Sequence, residues 1–244
     1  MPPSARGRSI RAAGLALAAL TLVAAARGAL RHRAGPEPAR PDAPAPEATP
    51  RTSSIVLRSA EVCPDAGYLC AELAPGDALV VHRWHEHDGP LVIHVPRPEH
   101  EPPAEAVRYQ SEAAAGLRAW NGHPFPVRIE LRSAEGADFS VRWSAGLGGT
   151  VVGAARTSWS EANGLRALAI DLATRDPYRP ERRLDPAHVR LTAAHEMGHA
   201  LGLPHSDESR DVMYPTNTAT ALTARDYRTM EAVYALPDGA RVEP

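Results

Sequence analysis

The run His195-Glu196-Met197-Gly198-His199-Ala200-Leu201-Gly202-Leu203-Pro204-His205 sets three histidines and a carboxylate at H-E-x-x-H-x-x-G-x-x-H spacing. On a helix, residues four apart stand one above the other on the same face, so His195 and His199 can aim at one point. Gly202 permits a turn with positive φ, which a residue with a Cβ resists, and that turn can return His205 to the same point. Three neutral imidazoles leave a fourth tetrahedral position open, the pattern of a catalytic rather than a structural zinc site. Glu196 is better placed to hold a water there than to bind the ion. Two surface histidines and an unrelated third would be the bland reading, but the spacing carries its own mechanism.

Working outward, the motif helix starts at Asp185 as N-cap with Pro186 as its first residue. Val189, Ala193, Met197 and Ala200 fall within about 80° of one another on the helical wheel and form the buried stripe. His195 and His199 lie off that stripe, so they can face a cleft. Downstream come Ser206, a short loop and Met213-Tyr214-Pro215. A last helix follows, with Thr223 and Asp226 as a capping box, Tyr227, Met230 and Tyr234 on one face, and Pro237 ending it.

Upstream, Leu91 to Val95 reads as a strand. Pro102 and Pro103 open a helix in which Val107, Ala114, Leu117 and Trp120 recur at helical spacing, and Asn121-Gly122 ends it. Val127, Ile129 and Leu131 alternate with charged residues, as do Phe139, Val141 and Trp143 with polar ones, giving two half-buried strands. Thr150 to Gly153 is expected as an edge strand, and Leu168, Ile170 and Leu172 as another strand. His85 and His87 could share a strand face and hold a metal, but the Asp88-Gly89 turn signal beside them favours solvated loop residues.

The chain has 244 residues and a formal net charge of −2. One compact domain with appendages fits that length, and the near-neutral balance argues against a nucleic-acid partner. Arg6, Arg8 and Arg11 precede an apolar run from Ala12 to Ala26. It is short for a membrane span, which takes about 20 residues, but suits a signal-peptide core, with Ala24 and Ala26 as an A-x-A cleavage site. Residues 1–29 are therefore expected as a signal peptide, the alternative being an uncleaved anchor. The expected location is secreted, periplasmic or cell-surface. Residues 30–53 read as a Pro-rich disordered linker. Residues 54–83 form an N-terminal segment with possible strands at Ile55 to Leu57 and Ala78 to Val81. Cys63 and Cys70, the two cysteines, read as a disulfide in an exported chain, against two free buried thiols.

The long zinc motif together with Met213-Tyr214-Pro215 resembles the metzincin metallopeptidases. Ser206 after the third histidine and Tyr-Pro after the methionine look most like the matrixin branch, the matrix metalloproteinase-type catalytic domain. The resemblance spans roughly residues 84 to 236, and residues 84–238 are expected as the catalytic domain. It implies an α+β fold of the zincin type: a twisted mixed sheet of about five strands, three main helices, and an active-site helix followed by a Met-turn and a C-terminal helix. It implies that His195, His199 and His205 bind one catalytic zinc, that Glu196 is general base and acid, and that Met213 supports the site without ligating. Tyr214 is expected in the wall of the specificity pocket. The implied substrate is a peptide or protein, extended along the edge strand near residues 150 to 158, with the side chain after the cleaved bond entering a pocket bounded by residues 214 to 216. Calcium is a habit of such domains, with Asp138 as one candidate ligand. The chain departs from the pattern in lacking a cysteine-switch sequence and a histidine-rich loop for a second zinc. The expectation is an exported zinc endopeptidase, a hydrolase whose oligomeric state the sequence leaves open, with a monomer favoured. The alternative is a non-peptidase zinc-binding surface module on the same fold, against which Glu196 argues; a zinc hydrolase acting on another bond is a third reading.

Overall fold

A computed structural model describes residues 55–85, 90–122 and 128–244. The readings of residues 1–29 and 30–53, and of His87 and Val127, fall outside them. Strand β1 (Val56–Arg58) leads into a one-turn helix α1 (Ser59–Val62) and a 3-10 turn at Cys63–Asp65. Then come β2 (Leu79–Val80), β3 (Leu91–His94), helix α2 (Pro103–Arg118), β4 (Ile129–Arg132) and β5 (Phe139–Ser144). The chain continues through β6 (Gly153–Ser160), β7 (Gly164–Ala173), β8 (Arg175–Asp176) and β9 (Arg179–Arg183). Helix α3 (Pro186–Ala200), helix α4 (Ala224–Ala235) and β10 (Arg241–Glu243) complete it.

The main sheet has five strands in the order β4-β3-β5-β7-β6. The first four run parallel and β6 pairs antiparallel with β7, so β6 forms one edge. The inner strand β3 is a continuous apolar run, Leu91, Val92 and Ile93, all buried, as a strand covered on both faces requires. Helices α2 and α3 pack side by side beneath the sheet. Gly116 makes their approach possible, because a Cβ there would collide with the Arg190 carbonyl. Two buried indoles fasten α3 to its surroundings: Trp120 Nε1 donates to the Ala194 carbonyl at 2.9 Å and Trp84 Nε1 to the Ala200 carbonyl at 2.6 Å. This is the α+β architecture expected, with its three main helices and five-stranded mixed sheet.

Three details differ from expectation. Val107 is 44% exposed, because the buried face of α2 runs through Ala106, Tyr109, Ala113 and Leu117 instead. The small residues at 113 and 116 admit α3 on that face. The edge strand starts at Gly153 and extends to Ser160, with residues 150–152 as its lead-in. Leu168 does not share the core face of Ile170 and Leu172. The β6–β7 register shifts between Arg156 and Thr157, so Leu168 is the extra residue of a bulge and stands 61% exposed.

A second, three-stranded sheet, in the order β1-β10-β2, joins residues 56–58 and 79–80 to the far C-terminus. Cys63 and Cys70 are disulfide-bonded. No helix among the described residues is long and apolar enough to cross a membrane.

Candidate metal centre

Helix α3 is built to place two ligands and then stop. The Asp185 carboxylate accepts the Ala187 N–H at 2.9 Å and caps the first turn. At the other end Gly202 adopts φ +99°, its N–H bonds the His199 carbonyl at 3.0 Å, and the Leu203 N–H bonds the Gly198 carbonyl at 2.9 Å. This is a Schellman closure, which needs a residue comfortable at positive φ. A Cβ at position 202 would also strike the His82 carbonyl, so the turn admits only glycine on two counts. The turn carries His205 back beneath the helix.

The three imidazoles converge. His199 Nε2 lies 3.1 Å from His195 Nε2 and 3.2 Å from His205 Nε2. The Nδ1 of His195 donates to the Val212 carbonyl at 2.7 Å, and that of His199 to the Leu203 carbonyl at 2.9 Å. With Nδ1 carrying the proton, each Nε2 presents a lone pair inward, and lone pairs this close repel unless a cation lies between them. Burial also lowers the pKa of both rings, that of His199 to about 4, with the neighbouring imidazoles adding to the effect. They are therefore neutral, the form that ligates. A tetrahedral zinc with nitrogen ligands at about 2.0–2.1 Å spaces them by roughly 3.4 Å, which these side chains meet with small adjustment. Among the described residues these three form the one group of His, Cys, Asp or Glu side chains placed to share an ion. Asp138 is not in such a group. Its Oδ2 accepts the Val92 N–H at 2.7 Å, tying β3 to the turn before β5, and calcium gains no support from it. His85 Nε2 lies 3.0 Å from the Asp238 carboxylate.

Glu196 sits beside the triad, 6% exposed. Burial pushes its carboxyl up to about 7, against the hydrogen bond it receives from the Ala155 N–H. Gly153 lets β6 lie against it, since a Cβ there would press on the Glu196 side chain. Together β6, α3 and the β8–β9 hairpin enclose a cleft of about 920 Å³, reached by His195, Glu196, His199 and His205.

Pro215, Thr216 and Asn217 line that cleft, and Tyr214 does not, so the wall expected at Tyr214 begins one residue later. The Tyr214 N–H closes a tight bend onto the Asp211 carbonyl at 3.2 Å. Two features had no sequence signal. Asn217 donates its amide to Thr192 Oγ1 at 2.6 Å and contacts His188 Nε2 at 3.2 Å, cross-linking the wall to α3. The hairpin β8–β9 is held by Glu101, which accepts from Arg183 at 2.7 Å and from Thr174 at 2.9 Å and pairs with Arg175 at 3.1 Å.

Met213 is fully buried under the site and packs on Gly198, where any Cβ would collide with its sulfur. The turn around it is fixed by two buried carboxylates. Asp211 accepts from Thr223 at 2.6 Å and from Arg225 at 2.9 Å. Asp226 closes the capping box with Thr223 and accepts the Val212 N–H at 3.1 Å.

An active-site helix, a histidine turn, a buried methionine turn and a terminal helix on this sheet define a zinc metallopeptidase domain. The matrixin family model matches residues 115–235, and over this stretch the chain belongs to the matrixins. Comparison with curated proteins gives no match. Family and donor set together support zinc as the ion and a peptide or protein as the substrate.

Proposed function

We propose that the protein is an exported zinc endopeptidase. The observation that carries this reading is the convergence of three Nε2 atoms beside a buried, sparsely bonded Glu196 in a cleft walled by an edge strand. His195, His199 and His205 hold the ion. Bound there, zinc supplies a Lewis acid for the scissile carbonyl and lowers the pKa of a water. Glu196 takes the proton of the attacking water and delivers it to the departing amine nitrogen. The free edge of β6 offers main-chain hydrogen bonds to an extended peptide, a form of strand addition. The side chain after the cleaved bond enters between α3 and Pro215 to Asn217.

Export is supported by the basic-then-apolar N-terminus and by the disulfide, which suits an oxidising compartment. A zinc-binding module without peptidase activity would have no use for a buried carboxylate beside the ligands. Cleavage of casein or a quenched peptide, with and without a chelator and after zinc is restored, tests the reading. Zinc-loaded protein that cleaves neither would overturn it.

A further inference from the structure

Two of the three histidines lean on main-chain carbonyls, but His205 does not. Its Nδ1 lies 3.5 Å from Glu72 Oε1. Glu72 follows Cys70 by two residues, and the loop closed by the Cys63–Cys70 bond carries Tyr68, which is 1% exposed. The Tyr68 hydroxyl donates to Asp226 Oδ1 at 2.9 Å, and its N–H donates to Thr229 Oγ1 at 2.9 Å. Gly67, at φ +64°, lies so close to α4 that a Cβ would collide with the Thr229 hydroxyl. The other oxygen of Asp226 accepts the Val212 N–H, and the Val212 carbonyl receives His195 Nδ1. The disulfide loop and the two residues after it therefore reach the metal centre by two routes: from Tyr68 through Asp226 and Val212 to His195, and from Glu72 to His205.

We propose that this loop, which lies outside the matrixin match, is a lasting part of the enzyme, with Tyr68 and Glu72 as positioning residues for two of the ligands. The inference rests on the assignment of the histidines as zinc ligands. A carboxylate facing the far nitrogen of a ligating imidazole fixes the ring's tautomer and direction and strengthens it as a donor. Loss of such a partner weakens metal binding by about 10–100-fold. Cleavage beyond residue 72 would remove both supports, so the segment is unlike a disposable leader.

The test uses the full chain loaded with zinc or cobalt. Zinc release to a chromogenic chelator and the visible absorption of the cobalt form are compared for wild type, Glu72→Ala, Glu72→Asp, Tyr68→Phe and the double Cys63→Ser, Cys70→Ser. Glu72 is exposed at its side chain, so Glu72→Ala keeps its fold and decides the matter even where Tyr68→Phe does not. The expected result is zinc release from Glu72→Ala faster by about ten-fold or more, an altered cobalt band, and partial recovery in Glu72→Asp. Equal release and an unchanged cobalt spectrum in Glu72→Ala overturn the proposal, as does an active mature form whose N-terminus lies after Glu72. A wild-type chain that takes up no zinc overturns the peptidase reading itself, whereas zinc held equally by wild type and variant overturns only the role of the loop.

Discussion

Glu196 on α3 and Glu101 just ahead of α2 are equally buried, each 6% exposed, yet their chemistry is opposite. Glu196 is raised to about 7 by burial, with one backbone N–H opposing. Glu101 also loses hydration, but hydrogen bonds from Arg183 and Thr174 and the charges of Arg175 and Arg183 outweigh that and hold its carboxyl below the usual range. Burial sets the stakes for a carboxylate, and the number of donors around it decides which form wins. The partner-rich one fastens a hairpin. The partner-poor one stands in the cleft, where a proton has to come and go.

The largest effect that can break this contrast is Glu196→Gln. The amide keeps the shape and cannot take a proton, so kcat/KM should fall by about 10²–10⁴-fold while the zinc content stays at wild type. Peptide cleavage and metal analysis on the same sample check it. Undiminished cleavage would place the proton acceptor elsewhere.

Glu101→Ala should do the reverse, leaving the protonation chemistry and removing stability. Two guanidiniums lose their carboxylate, and Arg183 is 44% exposed at its side chain, so water compensates part of the loss. A destabilisation of about 2 kcal/mol is expected, below the full penalty of breaking a buried pair. It is read from urea unfolding. The pH dependence follows from the sign of the shift. The folded pKa of Glu101 is depressed, so its contribution is present above the unfolded value of about 4.3 and is lost as pH falls through the folded value. Glu101→Gln should therefore flatten the acid limb of the stability profile below about pH 4 and leave neutral cleavage largely intact. An acid limb as steep as wild type would show that Glu101 is not the group being titrated.

The same contrast explains what the sequence disclosed. Glu196 was legible because the residues that share its role stand at fixed spacing around it, with three histidines, Gly202 and the Asp185 cap all inside one local pattern. Glu101 carried no such signal. Its partners Thr174, Arg175 and Arg183 are more than seventy residues away and meet it only in the fold. The hairpin they belong to reads as a charged loop, with every residue of β9 exposed and no alternation to mark it. The strand β10 was hidden for a related reason, since its partners β1 and β2 lie at the opposite end of the described chain. Leu168 misled because a bulge breaks the period of two that alternation assumes. Asn217 was invisible because one amide linking a loop to a helix leaves no periodic trace.

The smallest predicted effect isolates solvent from partner count. Asp185 receives one N–H, from Ala187, much as Glu196 receives one from Ala155, but Asp185 stands exposed at the rim of the same cleft. Water can replace what a mutation removes, so Asp185→Ala should lower stability by only about 1 kcal/mol and leave cleavage within a few-fold of wild type. Asp185→Asn should restore most of that stability, since asparagine caps a helix about as well without a charge. If Asp185→Ala lowered cleavage as far as Glu196→Gln does, one backbone donor would matter alike in water and out of it, and burial would lose its place in the contrast between the two glutamates.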